Sequence, residues 1–326
     1  MYKWIGLLLL AACGTSTDKG ETPQPPLTVT VIYPSGGKGD RSFSDVVYQG
    51  LVQASLTATF ELNEYTLNTD GSADALIDRA TSGAAGNGLV LMAGFEFIGP
   101  LMARHCAFND RYMVLMDAVV DPCPRLQSIT YRTFGASFLA GVAAITVAPR
   151  KTAAFLGGMD LPAVDEFRRG FEAGVAYAGG SMTRAEYIST GFDGFSSVQK
   201  AHDMATAFFA DADVVFPVAG GSGAGVIEAT KDYGNRYTLG VDIDQAYLGR
   251  GVILGSVVKA MNTTAQNAVL DVEVKSFAAG HYNAGLSEQG TDFVVNPRFA
   301  AAVESALDQA RAAALEAAAQ DLGMYP

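Results

Sequence analysis

The sequence predicts an α/β protein of two lobes, each a parallel sheet with helices on both faces, that face one another across a cleft. From Leu27 onward short β-rich runs alternate with helical patterns, an order that builds a parallel sheet covered on both sides. The alternation stops at one long apolar helix, GASFLAGVAAITVA (135–148), and then begins again, which requires a second sheet. Two strand ends also carry one signature: Gly94 closes VLMAG with Asp117 following 23 residues later, and Gly220 closes PVAG with Asp242 following after 22. Ligands bind outside the carboxyl ends of strands in open α/β sheets, so each lobe offers a glycine turn and an acid to a shared cleft.

In the first half, strands are expected at TVTVIYP (28–34), EYTL (64–67), GLVLMAG (88–94), YMVLMDA (112–118) and SITYRT (128–133), with helices between the first four. In the second half they are expected at TAAFLGG (152–158), AEYIS (185–189), VVFPVAG (214–220), YTLGVD (237–242) and GVILGSVVK (251–259). A helix over about 260–277 is expected to return to the first lobe, and the Ala-rich end, 297–321, reads as a terminal helix packed on the surface.

With 326 residues, 49% of them hydrophobic and only 17% charged, the chain can bury about three quarters of its unfolded surface. The opening MYKWIGLLLLAAC is a short apolar run after one lysine, too short to span a bilayer, and reads as a secretion signal. Its Leu10-Ala11-Ala12-Cys13 end resembles the lipobox of bacterial lipoproteins, which implies that the leader (1–12) is removed and Cys13 receives a lipid. The alternative is an ordinary signal with Cys13 incidental. Residues 14–26, GTSTDKGETPQPP, are a polar tether. The formal charge of −12, or −13 once Lys3 leaves with the leader, and the absence of a Lys/Arg cluster disfavour a nucleic-acid partner.

Cys106 and Cys123 flank YMVLMDAVV, and in an oxidising compartment a disulfide is expected between them, with two free thiols as the alternative. Two cysteines and histidines scattered at 105, 202 and 281 give no metal site, and no cofactor is expected.

The glycine-rich stretch after VVFPV fails each enzymatic motif it approaches. Val226 stands where a dinucleotide fingerprint needs its third glycine, and Val226-Ile227 replace the Lys-Ser/Thr of a phosphate loop. Around Ser222 a nucleophile elbow would need glycine at Ala224, and His281 is the only later histidine. What remains is a helix amino terminus whose Gly220 and Gly221 let backbone N–H groups approach a ligand, or a turn chosen for packing alone.

Six stretches, in order across most of the chain, resemble the basic membrane protein family, which includes the purine-nucleoside receptor lipoproteins of bacterial ABC importers. They are GDRSFSD (39–45), TFGASFLAG (133–141), AAFLGGMDLPAVDEFRRGFEAGV (153–175), VFPVAGGSGAGV (215–226), LGVDIDQ (239–245) and ILGSVVK (253–259). The resemblance implies a type I periplasmic binding protein fold with its ligand cleft at the hinge. It implies lobes of 27–133 plus about 260–290 and of 134–259 plus about 291–326, and a monomer that delivers a nucleoside to an ABC permease from a lipid anchor in the cell envelope.

By the same resemblance Asp40 meets the base edge and Phe43 and Phe195 stack on the base, with Phe192 the alternative to Phe195. Two rings suit a flat base, at roughly 1 to 3 kcal/mol per stacked base. Asp242 and Lys259 correspond to the ribose-binding positions, and Asp117 to an acid that meets the base edge. Caps, loop turns and packed rings are the structural alternatives for these residues. Asp160 is expected to cap the helix near Pro162 or to hold the hinge. Thr133-Phe134-Gly135, Pro217 and Ser44 depart from the family pattern and leave purine against pyrimidine open. A surface lipoprotein of the same fold acting in signalling or adhesion, or one binding another small ligand, fits the same residues.

Overall fold

The structure, a computed structural model, describes residues 26–82 and 88–321; the leader and Cys13 lie outside them. The chain runs β1 (Leu27–Tyr33), α1 (Phe43–Ala54), β2 (Phe60–Thr66), α2 (Ala73–Thr81), β3 (Gly88–Ala93), α3 (Ile98–Ala103), β4 (Tyr112–Met116) and β5 (Leu126–Tyr131). It crosses over through α4 (Phe134–Val147) into β6 (Thr152–Gly157), α5 (Pro162–Tyr177), β7 (Ser181–Tyr187), α6 (Val198–Phe208), β8 (Val214–Val218), α7 (Gly223–Tyr233), β9 (Tyr237–Asp242) and β10 (Ile253–Lys259). It ends with α8 (Met261–Glu273), β11 (Gly280–Ala284), β12 (Thr291–Val295) and α9 (Ala300–Gln320). Two six-stranded sheets result, ordered β11-β5-β4-β3-β1-β2 and β12-β10-β9-β8-β6-β7.

Both sheets are buried on both faces, which is why their inner strands read as continuous apolar runs rather than alternating ones. In the first lobe Val29, Val31, Leu89 and Leu91 pack against α1 and α8, while Ile32, Val90 and Met92 turn to the other face, toward α2 and α3. In the second, Phe155, Val214 and Phe216 face α4 and α5, and Ala154, Leu156 and Val215 face α6 and α7. Helix α4 is buried from Phe134 to Ile145, because α5 and α9 cover what the sheet does not. The Ala-rich α9 buries Val303, Leu307, Ala310 and Ala314, one stripe at helical spacing.

Strands β11 and β12 are not among the expected elements. Each is an edge strand: β11 (Gly-His-Tyr-Asn-Ala) has an exposed centre and no apolar run, and β12 has only the short Phe293-Val294-Val295. β12 also lies antiparallel on β10, a departure from the all-parallel sheet expected for the second lobe. Pro217 is another local feature: β8 pairs with β9 at Val214 and Val215, and the ladder stops before the proline, which has no N–H to give.

Three chain crossings lie side by side between the lobes. Arg132 N–H donates to Ala284 O (3.0 Å), Thr291 Oγ1 donates to Arg132 O (2.8 Å), and Ala260 N–H donates to Gly290 O (2.8 Å). Cys106 and Cys123 form a disulfide that closes a 17-residue separation across β4, with Cα atoms 5.5 Å apart.

Candidate functional site

The carboxyl ends of both sheets meet in a cleft, and the two lobes furnish it in matching ways. After β3 and β8 the chain turns at Gly94 (φ 105°) and Gly220 (φ 50°). After β4 and β9 it turns at Asp117 (φ 61°) and Asp242 (φ 66°), a left-handed backbone that aspartate tolerates better than most side chains. That turn ends each strand on an acid that lines the cleft.

Lys259, the last residue of β10, sits between these acids. Its Nζ donates to Asp117 Oδ2 at 2.6 Å and lies 3.6 Å from Asp242 Oδ1. All three residues are 5% exposed. Ser42, fully buried at the start of α1, donates from Oγ to Asp242 Oδ2 at 2.6 Å. One ammonium therefore serves two carboxylates. Burial pulls the Lys259 ammonium down, but Asp117 and Asp242 overcome it and hold the group above its ordinary value, so it stays charged. Burial raises the Asp242 carboxyl and the like charge of Asp117 adds to the rise, while Lys259 and the Ser42 hydrogen bond oppose it.

The other half of the cleft is aromatic. Phe43 opens α1, and the Lys259 ammonium lies 5.3 Å from its ring centroid and 4.9 Å from that of Phe167 on α5. From the opposite lobe the Phe195 ring lies so close to Gly158 that a Cβ there would sit 2.6 Å from Phe195 Cδ1. Phe192, which opens the same 3-10 turn, stacks instead on Phe95 of the first lobe, with centroids 5.5 Å apart and planes at 23°. Both candidate rings line the cleft: Phe195 lies against Gly158 of its own lobe, and Phe192 spans the lobe junction to Phe95.

Asp40 lines the cleft too, but its carboxylate accepts backbone N–H groups of Ser42 (2.9 Å), Ser44 (2.8 Å) and Asp45 (3.3 Å), and so holds the loop that starts α1. Burial keeps its carboxyl above the usual range despite these donors. Gly220 and Gly221 complete the second lobe's rim. A Cβ on Gly221 would lie 3.9 Å from the Asp40 Cβ, so this backbone reaches across to the first lobe. Ser222 is buried and tied up: its Oγ donates to Gly194 O and accepts from Ser197 N–H, each at 2.7 Å.

All eight candidate residues (Asp40, Phe43, Asp117, Phe195, Gly220, Gly221, Asp242 and Lys259) line this one cleft. Ser35, Phe95, Glu96, Val164 and Phe167 line it as well and were not singled out from the sequence. Phe95 and Glu96 follow Gly94 directly, so the turn glycine itself was the available signal. Phe167 sits at core spacing on α5 and reads as packing. Asp160 is exposed, and the helix it was expected to cap begins with Leu161 at its N-cap and no side-chain bond. Pro162 at the first helical position already dispenses with one of the N–H groups a cap would serve. His281 lies on β11, with Thr130 Oγ1 3.1 Å from its Nε2, and is not part of the cleft lining. Among the described residues no cluster of three His, Cys, Asp or Glu could hold a metal ion, and no helix is long and apolar enough to cross a membrane.

The sequence profile of the family described as "ABC transporter substrate-binding protein PnrA-like" matches residues 27–317. The chain belongs to this family. Among relatives, it is 29% identical over 303 residues to Basic membrane protein A of Borreliella burgdorferi, covering 90% of this chain and 85% of that one. It is 26% identical over 296 residues to the "ABC transporter nucleoside-binding protein BmpA" of Lactococcus lactis, covering 83% of each. An ABC transporter solute-binding protein from Aeropyrum pernix superposes with a TM-score of 0.75 at 22% identity over 90% of both chains, which shows the periplasmic binding protein fold. PnrA-like proteins are extracytoplasmic binding proteins rather than an enzyme class, and take up small ligands for an ABC permease.

Proposed function

We propose that this PnrA-like protein is a monomeric, lipid-anchored receptor that captures a nucleoside, a purine nucleoside first among them, by closing its lobes and passes it to an ABC permease. The observation that carries the reading is the adjacency of the Lys259–Asp117–Asp242 trio and the Phe43 ring in one cleft. A carboxylate can accept two sugar hydroxyls and the ammonium can donate to a hydroxyl or ring oxygen, while a base needs a flat apolar face beside them. The nucleoside-binding relative from Lactococcus supports the same ligand class.

Contacts between the lobes support capture by closure. Ser42 bonds Asp242, Gln245 Nε2 donates to Arg41 O at 2.7 Å, and Phe95 stacks on Phe192, each across the lobes. A ligand that touches both lobes shifts the population toward this state in proportion to its differential affinity.

The test is thermal stabilisation by nucleosides, free bases and sugars, read with an extrinsic dye. A nucleoside at about a hundred times its dissociation constant should add roughly 2.7 kcal/mol, and base or ribose alone should add much less. No shift with any nucleoside overturns the reading. Asp242→Asn is expected to weaken nucleoside binding by about tenfold to a hundredfold, the loss of charged hydrogen bonds worth about 1.5–3 kcal/mol. The same variant should be as stable as the parent or more so. A carboxyl raised by burial costs stability when ionised at neutral pH, asparagine tolerates the left-handed backbone, and Lys259 keeps Asp117. A variant that unfolds while retaining affinity would make Asp242 a structural cap. For the anchor, labelling with a radioactive fatty acid in a bacterial host should mark the full chain and not Cys13→Ser; equal labelling would sink lipidation at Cys13.

A further inference from the structure

We propose that Glu96 reads the edge of the bound base and biases the cleft toward a guanine-type edge, one with two adjacent N–H donors. The inference rests on the nucleoside reading above and goes further, to the residue that selects among bases.

Glu96 lies in the single 3-10 turn Phe95–Phe97 that follows the Gly94 turn, and it lines the cleft. Its position is fixed on both sides: Phe97 is fully buried and Phe95 stacks on Phe192. The Glu96 Oε2 atom and the Phe43 Cε1 atom each lie 3.9 Å from the point where a Cβ on Gly94 would stand. The carboxylate and the ring proposed to carry the base therefore border the same space in front of Gly94.

The hydrogen-bond supply at this end is one-sided. Ser35 Oγ donates to Glu96 Oε1 at 2.6 Å and accepts from Asn68 Nδ2 at 3.1 Å, so its one hydroxyl proton is spent on the carboxylate. Asp40, the other acid here, is an acceptor as well. The ammonium of Lys259 stands between Asp117 and Asp242. An ionised carboxylate is an acceptor only, and the base edge that meets it must donate. Guanine presents N1–H and N2–H side by side, and hypoxanthine presents N1–H alone. Adenine turns the N1 lone pair toward the carboxylate beside its N6–H. The expected order of affinity is guanosine, then inosine, then adenosine.

Glutamine in place of Glu96 keeps the shape and offers one donor and one acceptor, the pattern that adenine matches. Calorimetric titration of the purified protein and of Glu96→Gln with the three nucleosides tests the inference. The parent should prefer guanosine over adenosine by roughly tenfold or more, the scale of one bidentate pair, and Glu96→Gln should erase or invert that preference. Ser35→Ala, which removes the hydrogen bond that opposes the rise burial imposes on the Glu96 carboxyl, should weaken guanosine more than adenosine. If the parent binds nucleosides and Glu96→Gln leaves their ratios unchanged, the role of Glu96 is overturned and the nucleoside reading stands. If the parent binds none of the three, both fall.

Discussion

Replacing Lys259 by methionine is expected to cost about 3–5 kcal/mol of stability near neutral pH, the penalty for stranding buried charge, and to abolish nucleoside capture. Methionine retains most of the apolar stem and removes the ammonium that faces the Phe43 and Phe167 rings, so the loss isolates the charge. Without it, Asp117 and Asp242 face each other across a buried site that sits between the lobes. The pH dependence gives the cause away. Burial already raises the Asp242 carboxyl, and Lys259 opposes that rise; in the variant the opposition is gone and the folded pKa climbs further. A group whose folded pKa lies above its unfolded value contributes stability that is present below the unfolded pKa, about 3.9 for aspartate. That contribution is lost as pH rises through the folded value. Urea unfolding should therefore show a small deficit near pH 4, where the raised Asp242 carboxyl is protonated in the variant, and the full deficit near pH 7.5. An equal deficit at both would mean that Lys259 acts through its stem.

The same trio shows how far the sequence could be read. An apolar strand that ends in Lys, as ILGSVVK does, and two strands that each end at an acid after a glycine turn are local patterns, and the fold places them where local patterns say: at carboxyl strand ends. The partners across the cleft carry no such signal. Ser42 and Asp242 are 200 residues apart in the chain, and the Phe95–Phe192 stack joins two unremarkable aromatic positions from different lobes. Such pairings depend on the relative placement of two sheets, which the hinge crossings set and which no periodicity encodes. Edge strands β11 and β12 were illegible for another reason. They are recruited by backbone hydrogen bonds to sheets already formed, and half-exposed edges demand little of their side chains. Asp160 misled because an acid before a helical proline looks like a cap by composition, whereas the cap position belongs to Leu161 in an extended backbone.

Gly174→Ala is expected to lower stability by about 3 kcal/mol or more, at the upper end of overpacking costs, although it adds a single methyl group to a helix. Helices α4 and α5 touch backbone to backbone. The missing Cβ positions of Gly170 and Gly174 point at the carbonyls of Phe134 and Phe138, and that of Gly141 points back at the carbonyl of Phe171. A methyl on Gly174 would fall well inside contact distance of the Phe138 carbonyl, and a carbonyl in a helix has no rotamer by which to yield. The helices must separate. Phe167 and Phe171 of α5 pack with Phe155 and Phe216 in the second lobe's core, so separation disturbs that packing as well. Helix propensity works the other way, favouring alanine by about 1 kcal/mol, and is overwhelmed. Gly99 in α3 supplies the control, because a Cβ there meets nothing within 4 Å; Gly99→Ala should hold or raise stability. Parallel thermal melts of the two variants decide the point. If Gly174→Ala melts with the parent, the helices can shift apart without cost, and the glycines of AAFLGGMDLPAVDEFRRGFEAGV are not there for close approach.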